Sequence, residues 1–110
     1  MATLEGELLK DGGWRRGWRK RYFKLSKIYF QYFENHHSTG PKGALVRGTI
    51  NNVELIDINT YQFKVTFKNE VWDLKATSRV SNLIIALRIV RIMFSNCLRK
   101  ITNDTCTLHI

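Results

Sequence analysis

Seven cationic side chains fall within sixteen positions of "KDGGWRRGWRKRYFKL", residues 10 to 25: Lys10, Arg15, Arg16, Arg19, Lys20, Arg21 and Lys24. Guanidinium and ammonium groups at this density are suited to charge-assisted hydrogen bonds with a polyanion, and a guanidinium can grip a phosphate through two bonds at once. Direction decides which polyanion. On a strand, side chains two apart share a face, so Arg19 and Arg21 point together and Phe23 and Leu25 carry that face into a core. Trp18, Lys20, Tyr22 and Lys24 point the other way. If the segment before the glycines and the segment after them form a hairpin, Lys10 lies opposite the start of the second strand. Lys10, Arg19 and Arg21 then converge at one mouth, beneath a Gly-rich loop that carries Trp14, Arg15 and Arg16. Three converging cations suit a compact ligand with several phosphates.

The rest of the chain must supply a scaffold for that mouth. With 110 residues, 44% of them hydrophobic, it has the size of one domain with one core. Formal net charge is +9, and residues 10 to 27 hold eight of the 18 basic residues with one acid, Asp11. An acidic partner is therefore expected: nucleic acid, anionic lipid or an acidic protein surface. Cys97 and Cys106 lack metal-ligand spacing, and the His36-His37 pair has no third ligand nearby, so neither a metal nor a cofactor is expected. No nucleophile–base–orienter set or carboxylate pair is apparent, which argues against an enzyme. The opening residues lack the apolar run of a signal peptide, and no stretch is long enough to span a bilayer, so a cytosolic chain is expected.

Seven short strands are predicted: Leu4–Lys10, Trp18–Leu25, Ile28–Phe33, Ala44–Ile50, Val53–Ile58, then the alternating run Tyr61, Phe63, Val65, Phe67, and Val71–Ala76. Asn51-Asn52 reads as the turn joining the fourth and fifth, and "ENHHSTGPKG" as a loop. After Ala76 the period becomes helical. Thr77 or Ser78 is a candidate cap, and Val80, Leu83, Ile84, Leu87, Val90 and Phe94 form the expected apolar stripe. The organisation is one domain over 1–110: strands over 5–76, a helix over about 77–96, and a tail over 97–110. The fold class is mainly β with one C-terminal α-helix, a bent seven-stranded antiparallel sandwich or barrel capped by the helix. Trp18, Phe23, Phe63 and Trp72 are the expected aromatic core.

"EGELLK", a short Gly-rich loop and "WRKRYFKL", followed in order by "YFQYFE", "GPKGALVRGTI", "YQFKVTF" and "VWDLKAT", resemble a pleckstrin homology (PH) domain of the phosphoinositide-binding type. The resemblance runs from about Glu5 to Ala76. It implies that Lys10, Arg19 and Arg21 hold headgroup phosphates, in a pocket between the first loop and the loop joining strands three and four. It also implies that Lys42, in "GPKG", assists at a 3-phosphate. Members selective for that phosphate usually carry a tyrosine on the third strand, at a position matched here to Gln31. The family's closing helix carries a tryptophan plug, and Leu83 stands near that position. Trp14, Arg15, Arg16 and Lys20 are the expected membrane-contacting residues, the indole being favoured at a bilayer interface. The implied function is recruitment to the cytosolic face of a membrane as a peripheral protein. A protein-interaction module without specific lipid binding is the alternative. Ten of the twelve residues over 83–94 are apolar, so the helix could also engage a protein partner or a second copy. Nucleic acid is disfavoured because alternation turns most aromatics inward.

Overall fold

The computed structural model describes residues 4–68, 70–77 and 80–98. Seven strands form one antiparallel sheet: β1 (Leu4–Asp11), β2 (Trp18–Leu25), β3 (Tyr29–Phe33), β4 (Gly43–Val46), β5 (Ile50–Asp57), β6 (Gln62–Phe67) and β7 (Glu70–Lys75). Helix α1 (Val80–Leu98) follows. The strand order is β4-β3-β2-β1-β7-β6-β5, so β1 joins an N-terminal half to a C-terminal half. In a flat sheet β3 and β7, three strands apart, would be separated by about 14 Å at the usual interstrand spacing. The Phe30 and Trp72 rings are instead 5.6 Å apart. The sheet therefore curls back on itself and encloses Leu8, Phe23, Leu25, Phe30, Val53, Phe63, Val65, Trp72 and Leu74. The expected architecture is what the chain adopts, with Phe23, Phe63 and Trp72 in the core.

Four local expectations are overturned. Trp18 is not in the core; it is half-buried on the outer face of β2, with the Lys75 ammonium 4.3 Å from its ring centroid. The predicted strand Ala44–Ile50 stops at Val46 and becomes a 3-10 turn over Arg47–Thr49. Side-chain bonds compete there with the ladder: Thr49 Oγ1 donates locally to the Val46 carbonyl at 2.6 Å, and Arg47 donates through Nη1 to the distant Ser26 carbonyl. Asn51-Asn52 is no hairpin turn. The pairing runs Ile50↔Phe67 and then Asn52↔Thr66, leaving Asn51 as an extra residue inside β5, a bulge. β4 and β5 are consequently not partners but the two opposite edges of the sheet.

The fourth correction concerns α1. It packs on β1, β5 and the 3-10 turn, but through Ala86, Ile89, Val90 and Met93, all buried, with Ile85 and Ile92 beside them. Leu83, Ile84 and Leu87 face outward, so Leu83 is not a plug. The apolar stripe was drawn without regard to Arg88 and Arg91, which are exposed and share their face with Ile84 and Leu87; the opposite face packs on β1. Gly6 is the seat: a Cβ there would stand 3.0 Å from Ile85 Cγ1. Thr77 Oγ1 accepts a 2.6 Å bond from Asn82 Nδ2. Ser78, the other candidate cap, lies outside the described residues, as do the side chains of Val80 and Phe94 and the tail from 99 onward. Urea unfolding tests the assignment of faces. Ile89→Ala should cost about 2–5 kcal/mol as a core truncation, whereas Leu83→Ala should cost less than about 1 kcal/mol. The reverse order would restore the stripe read from the sequence.

Candidate functional site

β1 and β2 pair through their whole length, from Leu4↔Leu25 to Asp11↔Trp18, which sets Lys10 directly opposite Arg19. The inner face of β2 runs from Phe23 and Leu25, both fully buried, to Arg21 and Arg19 where the sheet opens. An open pocket of about 380 Å³ lies at that opening, lined by Lys10, Asp11, Gly12, Arg16, Arg19, Arg21, Tyr32 and Lys42. Its volume falls in the roughly 300–1,000 Å³ range of small-ligand sites. Five cations from two strands and two loops thus face one space that contains a single carboxylate. That carboxylate is already engaged, because Asp11 Oδ1 accepts a 3.0 Å bond from the Gly13 N–H.

The β1–β2 loop is built by its backbone. Gly12 N–H donates to the Gly17 carbonyl at 2.8 Å, and the N–H groups of Arg16 and Gly17 both donate to the Gly13 carbonyl. Gly13 and Gly17 take φ of 99° and 66°, a region that suits glycine. This turn lifts Trp14 clear of the domain at 88% exposure, with the Arg15 guanidinium 4.7 Å from its ring centroid. It folds Arg16 inward instead, into the pocket wall. Arg16 was expected beside Arg15 as a surface contact; the tight Gly12–Gly17 closure separates the two. Lys20 is exposed on the opposite face of β2, as alternation requires.

Each pocket cation is held differently. Lys10 Nζ lies over the Tyr32 ring at 4.9 Å from the centroid and 5.7 Å from that of Trp72. Burial pushes its ammonium below the ordinary lysine value, with Arg21 adding to the effect and Glu70, Asp11 and Asp73 opposing it. Arg21 Nη1 donates to the Lys20 carbonyl at 3.0 Å. Lys42 sits at the rim, where Glu34 lies 4.0 Å away, too far and too exposed to hold it firmly. On the outer face Tyr22 donates to Glu5, and burial followed by this bond pushes its phenol up to about 12.

Tyr32 is the pocket residue that sequence reasoning missed. The third-strand position was matched to Gln31, but Gln31 pairs with Lys24, a residue of the outer face of β2. Tyr32 shares the inner face with buried Phe30 and lines the pocket. The spacing Phe30–Tyr32 was the available signal. The His36 and His37 rings lie 3.8 Å apart at a 42° tilt in the β3–β4 loop, and among the described residues no group of three metal-ligating side chains occurs. No described helix is long and apolar enough to cross a membrane.

Comparison with known proteins adds to this geometry. The family model described as "PH domain" matches residues 2–81. Among solved structures, the PH domain of human oxysterol-binding protein-related protein 11 superposes with a TM-score of 0.69 at 20% identity, covering 92% of this chain and 87% of that one. The C-terminal PH domain of pleckstrin, in complex with D-myo-Ins(1,2,3,5,6)P5, gives 0.62 at 21% identity, over 81% and 91%. A chain in the crystal structure of SifA and SKIP gives 0.68 at 14% identity, over 86% and 96%. A search of curated proteins returns no match.

Lys10 generates a prediction about stability. A lysine whose folded value is lowered binds fewer protons in the folded state than in the unfolded one, so stability rises with pH in the window just below 10.5. Lys10→Met removes the half-buried ammonium. It should match or exceed the wild type in urea midpoint at neutral pH and lose the rise in that window. A lower midpoint would mean that the ammonium stabilises the fold.

Proposed function

We propose, from the premise that this chain belongs to the PH domain family, that its pocket binds the headgroup of a phosphoinositide and recruits the domain to an anionic membrane surface. The observation that carries this reading is the convergence of Lys10, Arg16, Arg19, Arg21 and Lys42 on one small open space. A solvated basic face would not need two cations aimed inward from adjacent strands. An inositol ring with several phosphates matches the size and the sign of the space, and each arginine can take a phosphate through two charge-assisted bonds. That a relative of the same fold is seen with an inositol pentakisphosphate supports the chemistry.

Roles divide by position. Lys10, Arg19 and Arg21 hold phosphates from the floor and one wall, and Arg16 closes the loop side. Lys42 and Tyr32 stand together on the β3–β4 side, and in 3-phosphate-selective relatives a basic residue and a tyrosine serve that phosphate. This supports a 3-phosphorylated headgroup. Trp14, at the tip of the same loop, enters the interfacial layer when the pocket is occupied. Arg15 and Lys20 add nonspecific attraction of about 1 kcal/mol each near anionic lipid. The domain acts by binding, not by catalysis, as a peripheral protein of the cytosolic membrane face.

A second reading rests on α1. Leu83, Ile84 and Leu87 are 39%, 51% and 39% exposed, and Arg88 and Arg91 beside them are exposed as well. This outer face suits a protein partner, and it lies toward the Gly6 end of β1, away from Lys10 and the pocket.

Two measurements separate the readings. In liposome co-sedimentation, vesicles with phosphatidylinositol 3,4,5-trisphosphate should bind more tightly than vesicles of equal charge made with phosphatidylserine. Arg21→Ala should reduce that preference by about 10- to 100-fold, the worth of one or two hydrogen bonds to a charged group. Equal binding to both vesicles removes the headgroup reading, and a preference unchanged in Arg21→Ala removes the residue assignment. For the second reading, Ile84→Asp should abolish capture of a protein partner while vesicle binding persists, and Arg21→Ala should do the opposite. Loss of both activities in Ile84→Asp would count against two independent surfaces.

A further inference from the structure

Lys10 differs from the other pocket cations in what lies beneath it. Arg16, Arg19 and Lys42 are exposed, and Arg21 is tied to the adjacent carbonyl. Lys10 has no ion pair among the described residues; its ammonium rests over two aromatic rings, Tyr32 at 4.9 Å and Trp72 at 5.7 Å. Those rings meet edge to face, with centroids 5.1 Å apart and planes at 86°. A lysine side chain has four flexible carbons, and an ammonium over an aromatic face is held in one region of the space those carbons can sweep.

The Tyr32 ring is in turn seated by a missing side chain. Tyr32 pairs with Gly43 across β3 and β4. A Cβ at position 43 would fall 2.3 Å from Tyr32 Cε1 and 2.8 Å from Cζ, inside the ring's own contact distance. The ring occupies the space a side chain at 43 would take, and the Lys42 N–H donates to the Tyr32 carbonyl at 2.8 Å to fix the same register. Gly43 thus leaves the space that the ring occupies, and the ring lies under the ammonium.

We infer that Tyr32, seated on Gly43, is a positioning residue: its ring holds the Lys10 ammonium at the pocket floor, so that an incoming phosphate meets an oriented cation. This rests on the headgroup reading above for its ligand, but the ring–ammonium contact exists in the free protein. The role belongs to the ring and is separate from any bond the Tyr32 hydroxyl makes to a phosphate.

The test uses the whole domain, with Tyr32→Phe, Tyr32→Leu and Gly43→Ala each made in Lys10 and Lys10→Met backgrounds. NMR of the free protein reads the ε-methylene protons of Lys10, which an underlying ring displaces upfield. The displacement should persist in Tyr32→Phe and shrink in Tyr32→Leu to the part that the Trp72 ring supplies; Gly43→Ala, which pushes the ring aside, should reduce it. Calorimetric titration with inositol 1,3,4,5-tetrakisphosphate as the probe should show Tyr32→Leu binding roughly 3- to 30-fold more weakly than Tyr32→Phe, the range one such contact supplies. In the Lys10→Met background the two should bind alike, because no ammonium is left to position. An unchanged Lys10 signal in Tyr32→Leu overturns the proposal, and so does a Leu–Phe difference that survives Lys10→Met. Should the wild type fail to bind the probe, the headgroup reading falls, and the NMR comparison alone decides whether the ring holds the ammonium.

Discussion

Trp72 is where the two halves of the sheet meet. It projects from β7 and touches Phe30 and Tyr32 of β3 and Phe67 of β6, at ring distances of 5.1 to 5.6 Å. These contacts belong to the core that draws β3 and β7 together; without that curl the end of the sheet that holds the cations would lie open and flat. The curl converts cations that share a strand face into cations that share a space. It also brings the rings of Tyr32 and Trp72 beneath Lys10. Packing and charge are therefore not separable here: the aromatic contact that closes the core also shapes the pocket floor.

Much of this was legible where one period and one turn fixed the outcome. Arg19, Arg21, Phe23 and Leu25 could be sorted onto one face from alternation alone, and a hairpin joining them to Lys10 followed from the glycines between. Lys42 came only from the likeness of "GPKG" to a family motif, since nothing in its local pattern sets it beside the hairpin. Arg16 was misassigned because backbone bonds inside the Gly12–Gly17 turn, invisible to periodicity, give neighbouring arginines opposite directions. Tyr32 was missed by one residue, an offset that on a strand exchanges inside for outside.

Other misreadings have a common cause, that one residue type serves several purposes. Asn51-Asn52 has turn chemistry, but a bulge uses the same backbone tolerance, and only the pairing partner distinguishes them. The helix offered ten apolar residues in twelve, and only Arg88 and Arg91 mark its outward face, which they share with Ile84 and Leu87; Gly6 on β1 completes the choice by admitting Ile85. Trp18 looks like a core residue by composition, yet it shares a face with Lys20 and Lys24 and packs under a lysine instead.

The central place of β1 also bears on how the chain is made. It pairs with β2 almost as soon as both exist, but its other edge waits for β7, where Lys10 meets Leu74, sixty-four residues further on (74 − 10). At ribosomal rates of about 5–20 residues per second that interval is roughly 3–13 s. For the last part of that time, from the completion of β4 at Val46, a four-stranded half-sheet presents one long unpaired edge, the geometry by which nascent chains join one another. β1 itself carries Glu5, Glu7, Lys10 and Asp11, and charged side chains along an exposed edge discourage such pairing. Lys10 and Asp11, which line the pocket of the finished domain, thus also act as gatekeepers against aggregation while it is still half built.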